Sequence, residues 1–304
     1  MSGVNWGQAV VVVNWERSED TIECVRSLVP REVFEDQIIV VDNGSQDDSV
    51  REIQAACPRL TILGLRRNLG FAGGFNAGIE KALALGAERV LVLNNDVIVE
   101  PGSVMALRSA EWDISVPKIL FHSAPHRIWA AGARWRRFPP SVVMLGYGVW
   151  GRGTLDGPQW NKPYPLEYAT GCALMVRRHV FERVGLFDEQ FESYWEDYDF
   201  CFRARAAELT IGYVPDARIL HKVSRSFGQY SSKWWWYMGR NTVLFYRKDN
   251  RFPVWMLGTF LIWATARETA KGNAAHLADF WRGAREGARL IRQKEQVCRG
   301  TRGL

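Results

Sequence analysis

Short apolar runs alternate with segments of helical period over the first hundred residues. Ala9–Val13 is a continuous apolar run that meets Glu16 almost at once, and it reads as a buried strand. Glu19–Leu28 carries apolar residues at Ile22, Val25 and Leu28 and predicts a helix. Gln37–Val41, Leu60–Leu65 and Arg89–Leu93 predict further strands, with helices over Asp48–Ala56 and Phe71–Leu85. Strands of this kind, spaced by helices, predict an α/β fold with a mostly parallel central sheet covered on both faces. Ligands of such sheets bind beyond the carboxyl ends of the strands, so the residues just after each strand are the ones to inspect.

Further along, Ser123–Pro165 is rich in Gly, Pro, Trp and Arg and predicts loops and short strands. A second ordered block runs over Glu167–His221, and after Ser231 the chain becomes Trp-rich and then basic and helical. No internal repeat or low-complexity tract is visible.

Each predicted strand end offers candidate chemistry. The first ends in Asn14-Trp15-Glu16, and the second in Asp42-Asn43-Gly44-Ser45, where a carboxylate can meet a base or ribose. An ordinary Asp-Asn-Gly turn explains the second equally well. Asn68–Gly78 places Gly70, Gly73, Gly74 and Gly78 at the start of a helix, an arrangement that admits close approach of a ligand and favours an anion. Gly146–Gly151 has the spacing of a dinucleotide loop but opens no helical pattern and is discarded. Asp96, after Asn94-Asn95, suits a hard cation bridging two phosphates, or else caps a helix beginning near Pro101. Tyr194-Trp195-Glu196-Asp197-Tyr198-Asp199 interleaves three acids with aromatics, the setting that tunes a general base. A helix starting near Phe200 would by itself explain one of those acids. His221, alone, is more often structural than a ligand, and Asp96 strengthens the metal reading.

As a set these segments resemble glycosyltransferase family 2, of the nucleotide-sugar-binding GT-A fold, and within it the rhamnosyl- and galactofuranosyl-transferase-like group. The resemblance covers about residues 8–249 and rests on VVVNW, VVDNGS, NLGFAGGFNAG, LNND, ATGCALMVRR, VGLFDEQFESYWEDYDFCFRAR, YVPDARILHKVSRS and YMGRNTVLFYRK. It implies a catalytic domain over 1–249, with a nucleotide-binding half at 1–110 and an acceptor and metal half at 111–249. Residues 250–304 then form a basic, Trp-containing helical region. Asn14 and Asp42 would line the nucleoside pocket. Asn68, Gly73, Gly74 and Asn76 would follow the nucleotide and diphosphate, with Asn95 and Asp96 beside them. Asp96 and His221 would hold Mn²⁺ or Mg²⁺, Asp197 would be the base, and Gly171, Trp195 and Glu196 would shape the acceptor side. Two departures stand out: Asn94 replaces the first Asp of the family's Asp-x-Asp motif, and Ala207-Glu208-Leu209 replaces a turn that usually contains glycine.

The implied activity is inverting transfer from dTDP-rhamnose or a UDP-sugar to a saccharide or lipid-linked hydroxyl in cell-envelope polysaccharide or glycolipid synthesis. A sugar-1-phosphate nucleotidylyltransferase would carry a glycine-rich loop after the first strand, where Asn14-Trp15-Glu16 stands. A catalytically inactive nucleotide-sugar-binding protein is disfavoured by the intact Glu196-Asp197 pair.

Charge and cysteines add location. Of a net charge of +6, nine Lys/Arg against four Asp/Glu fall from Arg267 onward. Such a tail suits an anionic membrane surface or a solvated helix face; nucleic acid is not an expected partner. Leu277, Phe280, Trp281, Ala284, Ala288 and Ile291 share one helical face, with Arg282, Arg285, Arg289 and Arg292 largely away from it, which suits a membrane interface or packing on the catalytic domain or a second subunit. Five scattered cysteines without metal spacing favour a reducing, cytoplasmic setting. No signal peptide is visible, and no uncharged stretch reaches the ~20 residues a bilayer span needs. Peripheral association with the cytoplasmic membrane face and a homodimer are left open.

Overall fold

A computed structural model describes residues 7–29, 31–148, 151–223 and 231–300, without the side chains of 295 and 297–300. Val149 and Trp150 of the discarded glycine pattern and Arg302 of the basic tail lie outside the described residues. In chain order the strands are β1 (Ala9–Asn14), β2 (Ile38–Asp42), β3 (Thr61–Gly64), β4 (Arg89–Asn94), β5 (Val97–Val99), β6 (Ile114–Phe121), β7 (Ala124–Ala130), β8 (Ala133–Arg136), β9 (Ser141–Met144), β10 (Thr154–Leu155), β11 (Tyr164–Pro165), β12 (Ala173–Arg177) and β13 (Ile211–His221). The α-helices are α1 (Ser18–Leu28), α2 (Ser49–Ala56), α3 (Gly70–Ala84), α4 (Ser103–Ser109), α5 (Arg178–Val184), α6 (Glu196–Ala206), α7 (Ser232–Arg247), α8 (Val254–Ala270) and α9 (Leu277–Gly300).

The chain divides into two compact units. The first takes in Met1–Arg134, Val143–Glu192 and Glu196–Ser224, and the second Trp135–Val142, Ser193–Trp195 and Arg225–Leu304. In the first unit, β3, β2, β1 and β4 run parallel, as the alternation predicts. β12 joins β4 antiparallel, and β6 continues beyond it. β13 pairs parallel with β6 and antiparallel with β5, which makes the sheet mixed. β7, read from sequence as part of a loop-rich stretch, lies antiparallel on β6, with Pro125 and His126 of its outer portion exposed.

Side chains along a strand alternate between faces, and that alternation assigns the covering helices. Val10, Val12 and Val40 join Cys24, Val25 and Leu28 of α1 in the main apolar core. Val11 and Val41 point the other way, toward α3. A Cβ on Gly78 would stand 2.3 Å from Val11 Cγ1 and 2.8 Å from Val41 Cγ2, so only glycine lets α3 lie this close to the sheet. At the end of α6 the glycine-free turn is accommodated by Glu208 itself, which takes the left-handed conformation at φ 61°.

Within the second unit, α7 and α9 pack backbone to backbone. A Cβ on Gly239 would fall 1.9 Å from the Phe280 carbonyl oxygen, and one on Gly283 2.0 Å from that of Trp236. Phe280, Gly283, Ala284 and Gly287 form the buried stripe of α9. Part of the face expected at a membrane or on the catalytic domain is therefore covered by α7 of the same unit. The strongly exposed apolar residues of this unit's helices are instead on α8, at Val254 (66%), Trp255 (61%) and Ile262 (71%). Among the described residues no helix is long and apolar enough to cross a membrane.

Candidate active site

The carboxyl ends of β1, β2 and β4 carry one connected polar network. Parallel pairing sets Asn14 opposite Asp42. Asn14 Nδ2 donates to Asp42 Oδ1 at 3.0 Å, and Thr21 Oγ1 donates to Asn14 Oδ1 at 2.8 Å. Asn95 Nδ2 reaches Thr21 Oγ1 at 3.0 Å, while the Ser45 amide and hydroxyl both donate to the Asp42 carboxylate. Asn14, Asp42 and Asn95 thus form one group, with Thr21 as the unforeseen link.

Asn43 is a second residue that sequence reasoning passed over. Its amide donates to Asn68 Oδ1 (3.1 Å) and to the Gly70 carbonyl (2.9 Å), and its Oδ1 accepts from the Leu69 N–H (2.9 Å). The turn after β2 is thereby tied to the loop that opens α3, with Asn68 exposed at its edge. Gly44 makes the approach feasible: it sits at φ 77°, where a Cβ would lie 2.5 Å from the Arg67 carbonyl carbon.

The glycine cluster divides. Gly73 and Gly74 are buried, and the space a side chain would need is held by Leu69 in one case and by Asn43 and Val13 in the other. At Gly74 the neighbours belong to the sheet and the turn after β2, and at Gly73 the neighbour is the N-cap residue of α3 itself. Asn76 is likewise engaged by protein: Oδ1 accepts from the Phe187 N–H, and Nδ2 donates to the Phe187 carbonyl and Glu189 Oε1. A buried amide satisfied in this way fixes the segment after α5, and the donor contact expected of it does not follow from its placement.

Asp96 follows β4, and His221 ends β13. Because His221 pairs with Val97 across the β5–β13 ladder, the two side chains meet, with His221 Nε2 3.2 Å from Asp96 Oδ1. Both are buried, and His221 Nδ1 has no hydrogen-bond partner among the described residues. Burial works against a charged imidazole, but Cys172 and Asp96 outweigh it and raise the His221 pKa to about 10. Among the described residues no group of three or more His, Cys, Asp or Glu could hold a metal by itself. One carboxylate and one imidazole, the latter only after giving up a ring proton, fit a cation that takes its other oxygens from a diphosphate and water. Trp129 of β7 stands edge-on to His221 at 4.3 Å between centroids, and Tyr147 stands edge-on to Trp129 at 6.3 Å. Lying in a stretch without clear period, neither gave a sequence signal.

Asp197 sits in the first turn of α6, half-buried. Its Oδ2 accepts from the Gly171 N–H at 2.8 Å, and its Oδ1 from the Tyr198 N–H at 2.7 Å. Burial raises its pKa to about 6 in spite of these N–H groups, which favour the charged form. Gly171 therefore touches the carboxylate directly, and a Cβ there would meet Phe71 at 2.9 Å and Asp197 Cβ at 3.4 Å. Glu196 is buried beside it, with Oε2 lacking a hydrogen-bond partner among the described residues. Burial, then the Asp197 charge, hold Glu196 well above the ordinary carboxyl range. Trp195 is only 6% exposed, and its ring packs with Phe245, Tyr246 and Phe260, which leaves little of it to face an acceptor. Asp199 differs from a simple helix-terminus acid: it is fully buried and ion-paired with Arg203 at 2.8 Å.

The chain is 28% identical over 220 residues to the low-salt glycan biosynthesis hexosyltransferase Agl10 of Haloferax volcanii, covering 70% of this chain and 66% of that one. It is 28% identical over 214 residues to the N-acetylglucosaminyl-diphospho-decaprenol L-rhamnosyltransferase of Mycobacterium tuberculosis, covering 63% and 68%. The chain thus spans about two thirds of the length of these relatives. In fold it is similar to GalNAc-T7, crystallised with UDP, GalNAc and Mn²⁺, at a TM-score of 0.58 and 16% identity over 80% of this chain and 50% of that one. It is also similar to a mannosyltransferase from Pyrobaculum calidifontis in complex with GDP-Man and Mn²⁺, at a TM-score of 0.54 and 15% identity over 93% and 84%. These likenesses establish the GT-A fold. The sequence profile of glycosyl transferase family 2 matches residues 9–185, more than half of the chain, and the protein is a glycosyltransferase of that family.

Proposed function

We propose that the protein transfers a sugar from a nucleoside diphosphate sugar to a hydroxyl acceptor with inversion, in cell-envelope glycan synthesis, with Asp197 as the base. The observation that carries this reading is the Asp197 carboxylate. It is held by two N–H groups, still partly open, and tuned to a pKa of about 6, where it is ionised at neutral pH yet basic enough to take a proton. Asp197 accepts the acceptor's hydroxyl proton as that oxygen attacks the anomeric carbon from the face opposite the departing diphosphate. A single displacement of this kind inverts the anomeric centre.

Asp42, held from behind by the buried Asn14 amide, binds the nucleoside, Asn68 and Asn95 flank the nucleotide, and Gly171 borders the acceptor, with Glu196 buried behind Asp197. Asp96 and His221 would hold Mn²⁺ or Mg²⁺, and such a cation would neutralise charge on the leaving nucleoside diphosphate. The relatives that act on glycans and on a lipid-linked diphosphate support dTDP-rhamnose or a UDP-sugar as donor and a saccharide or lipid-linked acceptor. The cytoplasmic face of a membrane is the corresponding location.

Nucleoside diphosphate release from a panel of dTDP- and UDP-sugars, with Mn²⁺ or Mg²⁺ and with EDTA, tests the reading. Release from one donor that EDTA abolishes is expected. Donor binding without release from any of them, in the presence of saccharide and lipid-linked acceptors, would identify a binding protein instead.

A further inference from the structure

Two fully buried side chains stand behind the Asp42 carboxylate, and their hydrogen bonds run in one direction. Asn14 and Thr21 have no exposed surface, and Asp42 is 4% exposed. Facing a carboxylate, the Asn14 amide has to present its nitrogen, and Nδ2 donates to Asp42 Oδ1 at 3.0 Å. Its oxygen then points inward and needs a donor, since a buried carbonyl without one is costly. Thr21 Oγ1 supplies it at 2.8 Å. The other acceptor near that hydroxyl, the Arg17 carbonyl at 3.0 Å, is already satisfied by the Thr21 N–H at 3.1 Å.

A hydroxyl gives one proton and can still accept. Asn95 Nδ2 donates to Thr21 Oγ1 at 3.0 Å, from the turn that leads to Asp96. About one helical turn further along α1, Cys24 Sγ donates to the Asn94 carbonyl at 3.5 Å. The helix therefore meets the turn after β4 at two points, and through Asn14 it also reaches the end of β2. The chain Asn95–Thr21–Asn14–Asp42 joins the turn beside Asp96 to the carboxylate assigned to the nucleoside, all within the first unit.

We propose that Thr21 is a positioning residue for the donor site: by donating to Asn14 and accepting from Asn95, its hydroxyl holds the Asp42 carboxylate and the turn at 94–96 in one register. This rests on the assignment of Asp42 to the nucleoside. Without the hydroxyl, the Asn14 oxygen loses its donor and the amide loses its single preferred orientation. Asp42 is then no longer aimed from behind, and Asn95 no longer has the acceptor that holds it.

The test titrates the full-length protein with UDP and with dTDP in Mg²⁺ by calorimetry. Thr21→Val keeps the shape of the side chain and removes the hydroxyl, while Thr21→Ser retains the hydroxyl. For the nucleotide that the wild type binds, Kd should rise about tenfold in Thr21→Val and stay within twofold in Thr21→Ser. In transfer kinetics KM for the nucleotide sugar should rise with it while kcat stays within threefold, a split that a role in stability alone would not make. Asn95→Ala combined with Thr21→Val should cost less than the product of the two single losses, because both break one chain. A Kd within twofold of wild type in Thr21→Val, a Thr21→Ser Kd as high as that of Thr21→Val, losses that simply multiply, or a kcat that falls in step with affinity would overturn the proposal. Unchanged affinity in Asp42→Ala, or no binding of either nucleotide by the wild type, would refute the nucleoside assignment and the proposal with it. A loss in Asp42→Ala with none in Thr21→Val would refute the role of Thr21 alone. Should Thr21→Val fail to fold, Thr21→Ala takes its place with the same outcomes.

Discussion

Replacing Asp199 by asparagine should damage the fold and leave the chemistry largely intact. The carboxylate is fully buried, and its partner Arg203 has a side chain 22% exposed. Arg203 also donates to the Val184 and Leu186 carbonyls, so one guanidinium ties α6 to the end of α5 and the loop beyond it. Asp199→Asn keeps an oxygen for Arg203 but removes the charge that balances it. Breaking a buried pair from one side costs about 3–5 kcal/mol, and the two carbonyls that remain on Arg203 place this case near the lower end, about 3 kcal/mol. In a domain of this size that lowers Tm by about 6–12 °C. Differential scanning fluorimetry reads the loss, and transfer measured well below the variant's Tm should stay within severalfold of wild type. A Tm within about 2 °C of wild type would refute the reasoning, since a loss so small belongs to an exposed pair.

Activity should fall as pH drops through about 6, because the base must be ionised and burial holds its pKa there; a kcat profile flat down to pH ~4.5 would remove Asp197 from that role. Gly283→Ala should separate α7 from α9, since its Cβ would fall 2.0 Å from the Trp236 carbonyl oxygen. A stability loss under ~1 kcal/mol by denaturant titration would contradict the close packing. Val254, Trp255 and Ile262 should support binding to anionic liposomes, with Trp255→Ser and Ile262→Ser together weakening it severalfold. No co-sedimentation by the intact protein would sink the membrane proposal.

The parallel half of the sheet was legible because β1, β2 and β4 are apolar on both faces and are bounded by polar turns. The strand ends then pointed to Asn14, Asp42, Asn95 and Asp96, which the structure brings together in two neighbouring groups. The glycines of α3 were ambiguous in principle: a missing side chain admits a ligand or another element equally, and only the positions of Val11, Val13 and Val41 decide between them. Asn76 shows the same limit for amides, whose partners here lie more than a hundred residues away in the chain. The apolar stripe of α9 announced a buried face without naming its cover. Its Gly283 and Gly287 were the available sign that another backbone comes close. The left-handed angles at Tyr194 and Trp195 had no sequence signal at all, since neither residue type favours them.

The central claim is that Asp197 takes the acceptor's proton, and Asp197→Asn measures it most directly. Asparagine keeps the size and can still accept from the Gly171 N–H, but it cannot take up a proton at neutral pH. With the matching donor and acceptor, kcat should fall by roughly 10²-fold or more, while the affinity for the nucleotide sugar changes little. A folded Asp197→Asn enzyme that transfers sugar at near wild-type rate would contradict the account.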